Sequence, residues 1–173
     1  MLDVLSRNII FIGFMGSGKS TVGRAMSKRL YRLFFDTDAM IEDRENKSIS
    51  DIFKEDGEDF FRKKEAEVSY LLHKFVQTSV IATGGGLPTA IDDLKDLGIV
   101  YFLDIDFDLM LTRMRKEDIE QRPLLQDIDK ARDLYNSRKE IYKSNSHCTI
   151  KIKDQDISEI VEEVIDYINC QIW

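Results

Sequence analysis

Phe11–Thr21, FIGFMGSGKST, joins the end of an apolar run to the start of a helical pattern. Gly13–Ser20 satisfies G-x-x-x-x-G-K-[ST] in full, and the preceding Asn8–Ile12 (NIIFI) is short and apolar enough to be a buried strand. In that order, strand, glycine-rich loop and helix give the pattern a physical meaning. Glycines let successive backbone N–H groups turn toward an anion. The helix N-terminus behind them adds a partial positive charge. Lys19 reaches the β- and γ-phosphates, and the Ser20 hydroxyl can ligate Mg²⁺. Gly16, Ser17, Gly18, Lys19, Ser20 and Thr21 are therefore expected to bind a nucleoside triphosphate. A strand–helix turn with GKS by chance is the alternative, and it leaves the agreement of motif and context unexplained. The loop does not say what receives the phosphoryl group.

Further along, strands and helices alternate. Ser20–Leu30 carries helix formers with Val22, Met26 and Leu30 on one face. Leu33–Phe35 is a second strand, ending at Asp36. Ser50–Leu72 has helical spacing, broken near Gly57. Val80–Ala82 is a third strand and Ile99–Leu103 a fourth. Asp106–Lys116 and Asp129–Lys143 read as helices, His147–Lys153 as an edge-like strand. Ile157–Ile168 reads as a helix with Ile157, Ile160, Val161, Val164, Ile165 and Ile168 inward. Five strands with intervening helices imply an α/β fold, a parallel sheet covered on both faces. The 173 residues fit one domain, without repeat or linker.

Composition narrows the partners. The net charge of −7 argues against general nucleic-acid or anionic-membrane binding. A local cationic pocket remains open, because exposed charges are screened beyond about 8 Å at physiological ionic strength. Cys148 and Cys170 form no metal-type pair, as expected of reduced cytoplasmic thiols. MLDVLSRN lacks the apolar stretch of a signal peptide, and no run is long enough to cross a bilayer.

Glycine placement marks the rest of the site. Seven of the nine glycines fall in two stretches, Gly13 to Gly23 and Gly84–Gly86, so turns alone do not account for them. Asp36-Thr37-Asp38 and Gly84-Gly85-Gly86 both follow strands, and in open parallel sheets ligands sit beyond the carboxyl ends of strands. One carboxylate could help hold hydrated Mg²⁺ and the other orient an acceptor hydroxyl. Equally, the pair could cap a helix starting at Ala39, and the glycines could form a flexible turn. Arg62 and Arg138 lie in charged helical segments where solvated arginine is the default. Arg122 lies in KEDIEQRPLL, a polar stretch without a convincing core element, either a lid that brings a cation over the phosphates or a solvated loop. Phe53, Phe60 and Phe61 read as core of a small subdomain. His73 and His147 read as surface or packing residues, and Trp173 has no assignable role.

Taken in order, FIGFMGSGKSTVGR, FFDTD, SISDIF, FFR, ATGGG, RPLL and SRKEIY resemble the shikimate kinase family, over about residues 8–167. The resemblance implies phosphorylation of the shikimate 3-hydroxyl by ATP, on the route to chorismate and aromatic amino acids. It implies a three-layer P-loop kinase fold of the nucleoside-monophosphate-kinase type, strand order 2-3-1-4-5. An acceptor-binding subdomain is expected at about residues 37–65 and a lid at about residues 117–127. It places Asp38, Arg62, Gly84, Gly85, Gly86 and Arg138 at the acceptor, and Ser20 and (through water) Asp36 at the metal. Arg122 matches the lid arginine and Arg115 an adenine-side arginine, leaving Lys19, Asp38 and Arg122 as the catalytic set. Shikimate, ATP and Mg²⁺ are the expected ligands, and a cytoplasmic monomer the expected form.

The residue types suit such an acceptor on their own terms. Two arginines can clamp a carboxylate through charge-assisted hydrogen bonds, Asp38 can accept from adjacent hydroxyls, and the glycine run can supply donors. A gluconate kinase of the same fold is the neighbouring alternative, since gluconate too carries a carboxylate. A nucleotide-dependent switch or inactive binding module would instead be expected to lack Lys19, Asp38 or the acceptor arginines.

Overall fold

A computed structural model describes residues 6–91, 94–120 and 122–172; Trp173 and Gln121 of the expected lid lie outside the described residues. The chain runs β1 (Asn8–Ile12), α1 (Lys19–Leu30), β2 (Phe34–Asp36), α2 (Thr37–Glu45), α3 (Ile49–Glu55), α4 (Glu58–Phe75) and β3 (Val80–Ala82). It continues through two single-turn helices, α5 (Leu87–Ala90) and α6 (Leu94–Leu97), to β4 (Gly98–Ile105), α7 (Phe107–Arg113) and α8 (Lys116–Glu120). A 3₁₀ turn (Pro123–Leu125), α9 (Ile128–Ser144), β5 (Cys148–Ile152) and α10 (Ile157–Ile172) complete it.

All five residues of NIIFI are buried. Successive side chains of a strand point to opposite faces, so burial of every one requires cover on both sides of the sheet. β1 pairs in parallel with β3 on one side and β4 on the other, and the sheet order is β2-β3-β1-β4-β5. This is the strand order expected from the family resemblance. The register is level: Phe11 lies opposite Ala82, and Ala82 opposite Asp36. The phosphate loop, Asp36–Asp38 and Gly84–Gly86 therefore leave the same edge of the sheet side by side.

α1 packs on α10, and α2 and α3 pack on α4. The helix break falls at Gly57 as expected, between α3 and α4. Phe53 and Phe61 pack with ring centroids 4.7 Å apart where α3 meets α4. Three expectations need correction. Ile157 is 43% exposed, because it sits in the first turn of α10, beyond the apolar stripe that meets α1. The helix expected over residues 106–116 stops at Arg113, where Met114 turns extended, and restarts at Lys116. The segment expected to form a lid is not free of core residues either: Leu125, on the 3₁₀ turn, is 2% exposed and anchors it.

Candidate active site

The phosphate loop has the backbone its sequence requires. Gly16 and Gly18 have φ of 77° and 90°, a region open to glycine at little cost. A side chain at Gly16 would also strike Met110 and Met114 of the segment beneath it. Lys19 is nearly buried, and its ammonium donates to the Gly13 and Phe14 carbonyls, 2.9 Å each. The lysine thus closes on its own loop. Burial pushes its pKa down to about 8; the Arg122 charge adds to this, while Asp38 and Asp36 oppose it.

Asp36 ends β2 and caps α2. Its Oδ1 accepts from the N–H of Asp38 (3.1 Å) and of Ala39 (3.4 Å), and its Oδ2 accepts from the Ser20 hydroxyl at 2.6 Å. Asp36 thus realises a helix cap, of a helix that starts at Thr37, while its second oxygen reaches Ser20 of the phosphate loop. Thr37 is fully buried, and its Oγ1 accepts the Gly84 N–H at 2.7 Å, fastening β2 to the glycine run. Asp38 Oδ1 is buried against Gly84 without a hydrogen-bond partner. Burial, helped by the Asp36 charge, pushes its pKa up to about 6 against the pull of Lys19 and Arg122.

On α4 the buried stripe is Phe61, Glu65, Val68 and Leu72, at helical spacing with a carboxylate in the second place. Glu65 is 0% exposed. Its Oε2 accepts from Arg62 Nη1 at 2.5 Å, and Glu58 Oε1 takes Nη2 at 2.8 Å and Nε at 3.2 Å. Burial raises the Glu65 pKa, with Arg62 opposing. On α9 the stripe Ala131, Tyr135, Arg138, Tyr142 brings a second arginine inward. The Tyr142 hydroxyl donates to the Gly85 carbonyl at 2.6 Å and Arg138 approaches the same oxygen at 3.5 Å. Glu65 and Tyr142 were not anticipated. The available signal was a glutamate on an otherwise apolar helical face, next to the anticipated Arg62.

The glycine run departs from expectation in one respect. The Gly84 N–H is spent on Thr37, so it is not free for a ligand. Gly84 and Gly86 instead make room: a β-carbon on Gly84 would collide with Asp38 Oδ1, and one on Gly86 with the Arg62 guanidinium. The N–H groups of Gly85 and Gly86 have no hydrogen-bond partner among the described residues. Arg122 is exposed at the edge of this cleft, close enough for its charge to act on both Lys19 and Asp38. Arg115 is 77% exposed and paired with Asp118 on α8. Arg113, two residues earlier, reaches the Lys153 carbonyl beyond β5.

Buried side-chain oxygens without a partner are few among the described residues, and three belong to this cleft: Ser17 Oγ, Asp38 Oδ1 and Glu65 Oε1. Buried polar groups are normally satisfied, so orphans gathered in one place mark where a ligand's groups go. Hard oxygen donors at Ser20 and Asp36 fit Mg²⁺, which keeps most of its waters and needs no all-protein cage. The described residues contain no cluster of three or more His, Cys, Asp or Glu side chains that could hold a metal.

A family model described as shikimate kinase matches residues 15–169. A shikimate kinase of Helicobacter hepaticus is 43% identical over 165 residues, covering 95% of this chain and 98% of the relative. The structure of an Acinetobacter baumannii shikimate kinase in complex with shikimate superposes with a TM-score of 0.87 at 32% identity, covering 98% of this chain and 97% of that one. The Aquifex aeolicus shikimate kinase gives a TM-score of 0.79 at 35% identity, covering 95% and 98%.

Proposed function

The chain belongs to the shikimate kinase family, and from that membership we propose how its residues share the work. The reaction is ATP-dependent phosphorylation of shikimate to shikimate 3-phosphate. The observation that carries the division of roles is the clustering of orphaned Asp38 and Glu65 oxygens beside two half-buried arginines, one loop away from the phosphate loop.

Arg62 and Arg138 bind the acceptor carboxylate. Asp38 takes the hydroxyls, orients the 3-hydroxyl and receives its proton late in transfer, since a loose transition state demands little activation of the nucleophile. The N–H groups of Gly85 and Gly86 are the donors of the glycine run, and Gly84 gives Asp38 its room. The loop residues Gly16–Thr21 hold the triphosphate. Lys19 leaves the Gly13 and Phe14 carbonyls for the phosphoryl oxygens, and Arg122 approaches them from the lid. Ser20 and, through water, Asp36 hold Mg²⁺, which when bound neutralises charge on the phosphates. Closure of the segment around residues 117–127 excludes water. Arg115 meets the adenine side only after leaving Asp118. The free cysteines Cys148 and Cys170 suit a cytoplasmic enzyme, and we propose a monomer.

ADP release in a coupled assay, with shikimate, gluconate and AMP as acceptors, tests the assignment. Shikimate should be turned over far faster than the other two, and EDTA should abolish the rate until Mg²⁺ is restored. Comparable turnover of gluconate would overturn the acceptor assignment, and full activity in metal-free buffer the metal role.

A further inference from the structure

We propose that Asp36, beyond any part in holding metal, positions Asp38 for the acceptor by capping the helix on which Asp38 sits. The inference rests on Asp38 meeting the acceptor hydroxyls. Its ground is the division of the Asp36 carboxylate. Oδ2 faces the nucleotide side and takes the Ser20 hydroxyl at 2.6 Å. Oδ1 faces the acceptor side and takes the Asp38 and Ala39 N–H groups.

The Asp38 side chain has no comparable tether, for its Oδ1 is buried without a partner. Its location therefore follows from its backbone. That backbone is held by the Asp36 cap before it and by Thr37, which is fastened to Gly84. The tolerance is small, because Asp38 Oδ1 lies where a β-carbon of Gly84 would stand. α2 spans nine residues and packs on α4 through its body, with Thr37 and Ile41 fully buried, so the cap matters at its first turn, where Asp38 sits. Without Oδ1 the first turn loses the acceptor for two N–H groups and is free to fray. Asp38 frays with it.

Metal ligation alone predicts no effect of Asp36 on acceptor binding when metal and nucleotide are absent. The cap predicts one. Shikimate affinity is therefore measured by calorimetry in nucleotide-free buffer with EDTA, on protein verified as folded. Asp36→Ala should weaken binding by roughly two- to thirtyfold, the range of a lost N-cap. Asp36→Asn keeps a carbonyl oxygen for the same two N–H groups. It should bind shikimate within about twofold of wild type while losing affinity for Mg-ADP. A purely structural part for the cap would lower the melting temperature of Asp36→Ala and leave the affinity of the folded molecules untouched, which overturns the proposal. Equal losses in Asp36→Asn and Asp36→Ala would assign the effect to charge and overturn it too. If Asp36→Ala does not fold, Asp36→Gly removes the same oxygen at a residue type that starts helices well. In parallel, an Asp38→Ala variant with wild-type shikimate affinity would show that the acceptor role of Asp38 fails, rather than the cap.

Discussion

The guanidinium of Arg62 lies against the α-carbon of Gly86, with Cζ 3.0 Å from where a β-carbon would stand and Nη1 closer still. In this position the arginine leaves no room for a side chain at residue 86. Its two glutamate partners hold it there from the other side.

Gly86→Ala should therefore act on the acceptor, although it changes neither charge nor a donor. The methyl group pushes Arg62 off its position, and the loss of one charge-assisted hydrogen bond costs roughly 1.5–3 kcal/mol. The fall in kcat/KM for shikimate should be on the order of 10–150-fold, with ADP affinity unchanged. Wild-type kcat/KM in this variant would mean that Arg62 is not positioned through Gly86.

Asp38 and Lys19 set the pH profile. With Asp38 pushed up to about 6 and Lys19 down to about 8, kcat/KM should rise through the first value and fall through the second. Stability follows the opposite sign to that of an ion-paired carboxylate. A folded pKa above the unfolded 3.8 means that the native state binds more protons between the two values, so stability is lost as pH rises from about 4 to 6. Asp38→Asn removes this penalty. The empty variant should be inactive yet melt about 2–4 °C higher than wild type at pH 7.5, if about 1 kcal/mol of the penalty survives solvent screening. Near pH 3.5 the two should melt together. A variant less stable than wild type at pH 7.5 would show that the Asp38 charge is not held at a cost.

The lid should separate into an anchor and a working residue. Arg122→Ala should lower kcat strongly while shikimate binding stays near wild type. Leu125→Ala removes a buried side chain whose deletion ordinarily costs 2–5 kcal/mol, about, and should speed hydrogen exchange over the segment from Lys116 to Asp127. Addition of shikimate and Mg-ADP should slow that exchange in wild type. Wild-type kcat for Arg122→Ala, with exchange indifferent to ligands, would exclude a lid.

Much of this fold was legible because its signals are local. NIIFI followed by a glycine-rich loop fixes a buried strand, a turn and a helix within 23 residues, and Gly57 breaks the next long helical pattern by itself. The pairing of Asp36 with Ser20 and the room that Gly84 gives Asp38 are tertiary facts, and no spacing in the sequence encodes them. Glu65 and Tyr142 fall between these cases. Their helical faces were legible, but the partners that make a buried glutamate and tyrosine useful come from other elements, Arg62 apart. Leu125 was hidden because one apolar anchor in a charged stretch has no period to reveal it.

Arg62→Lys gives the sharpest contrast between a clamp and a surface arginine. Of the five N–H groups of Arg62, Nε and one on Nη2 go to Glu58, and one on Nη1 goes to Glu65. One N–H on each terminal nitrogen remains, a pair of donors for a carboxylate. Lysine keeps the charge and has three donors from a single nitrogen, so it cannot hold both glutamates and still offer two to the acceptor. Glu65 sharpens the demand, since it is wholly buried and an unpaired charge there is costly; the lysine is drawn to Glu65 and away from the substrate. The expected fall in kcat/KM is on the order of 10–150-fold, carried mainly by KM, with ADP affinity at the wild-type value because the phosphate loop is untouched. An arginine on the solvated surface changed to lysine would move stability by about 0.5 kcal/mol or less and activity hardly at all. Steady-state kinetics with varied shikimate, together with ADP titration, measures both quantities. An unchanged KM would return Arg62 to the role of a helix-surface ion pair and leave Arg138 as the sole cation for the acceptor carboxylate.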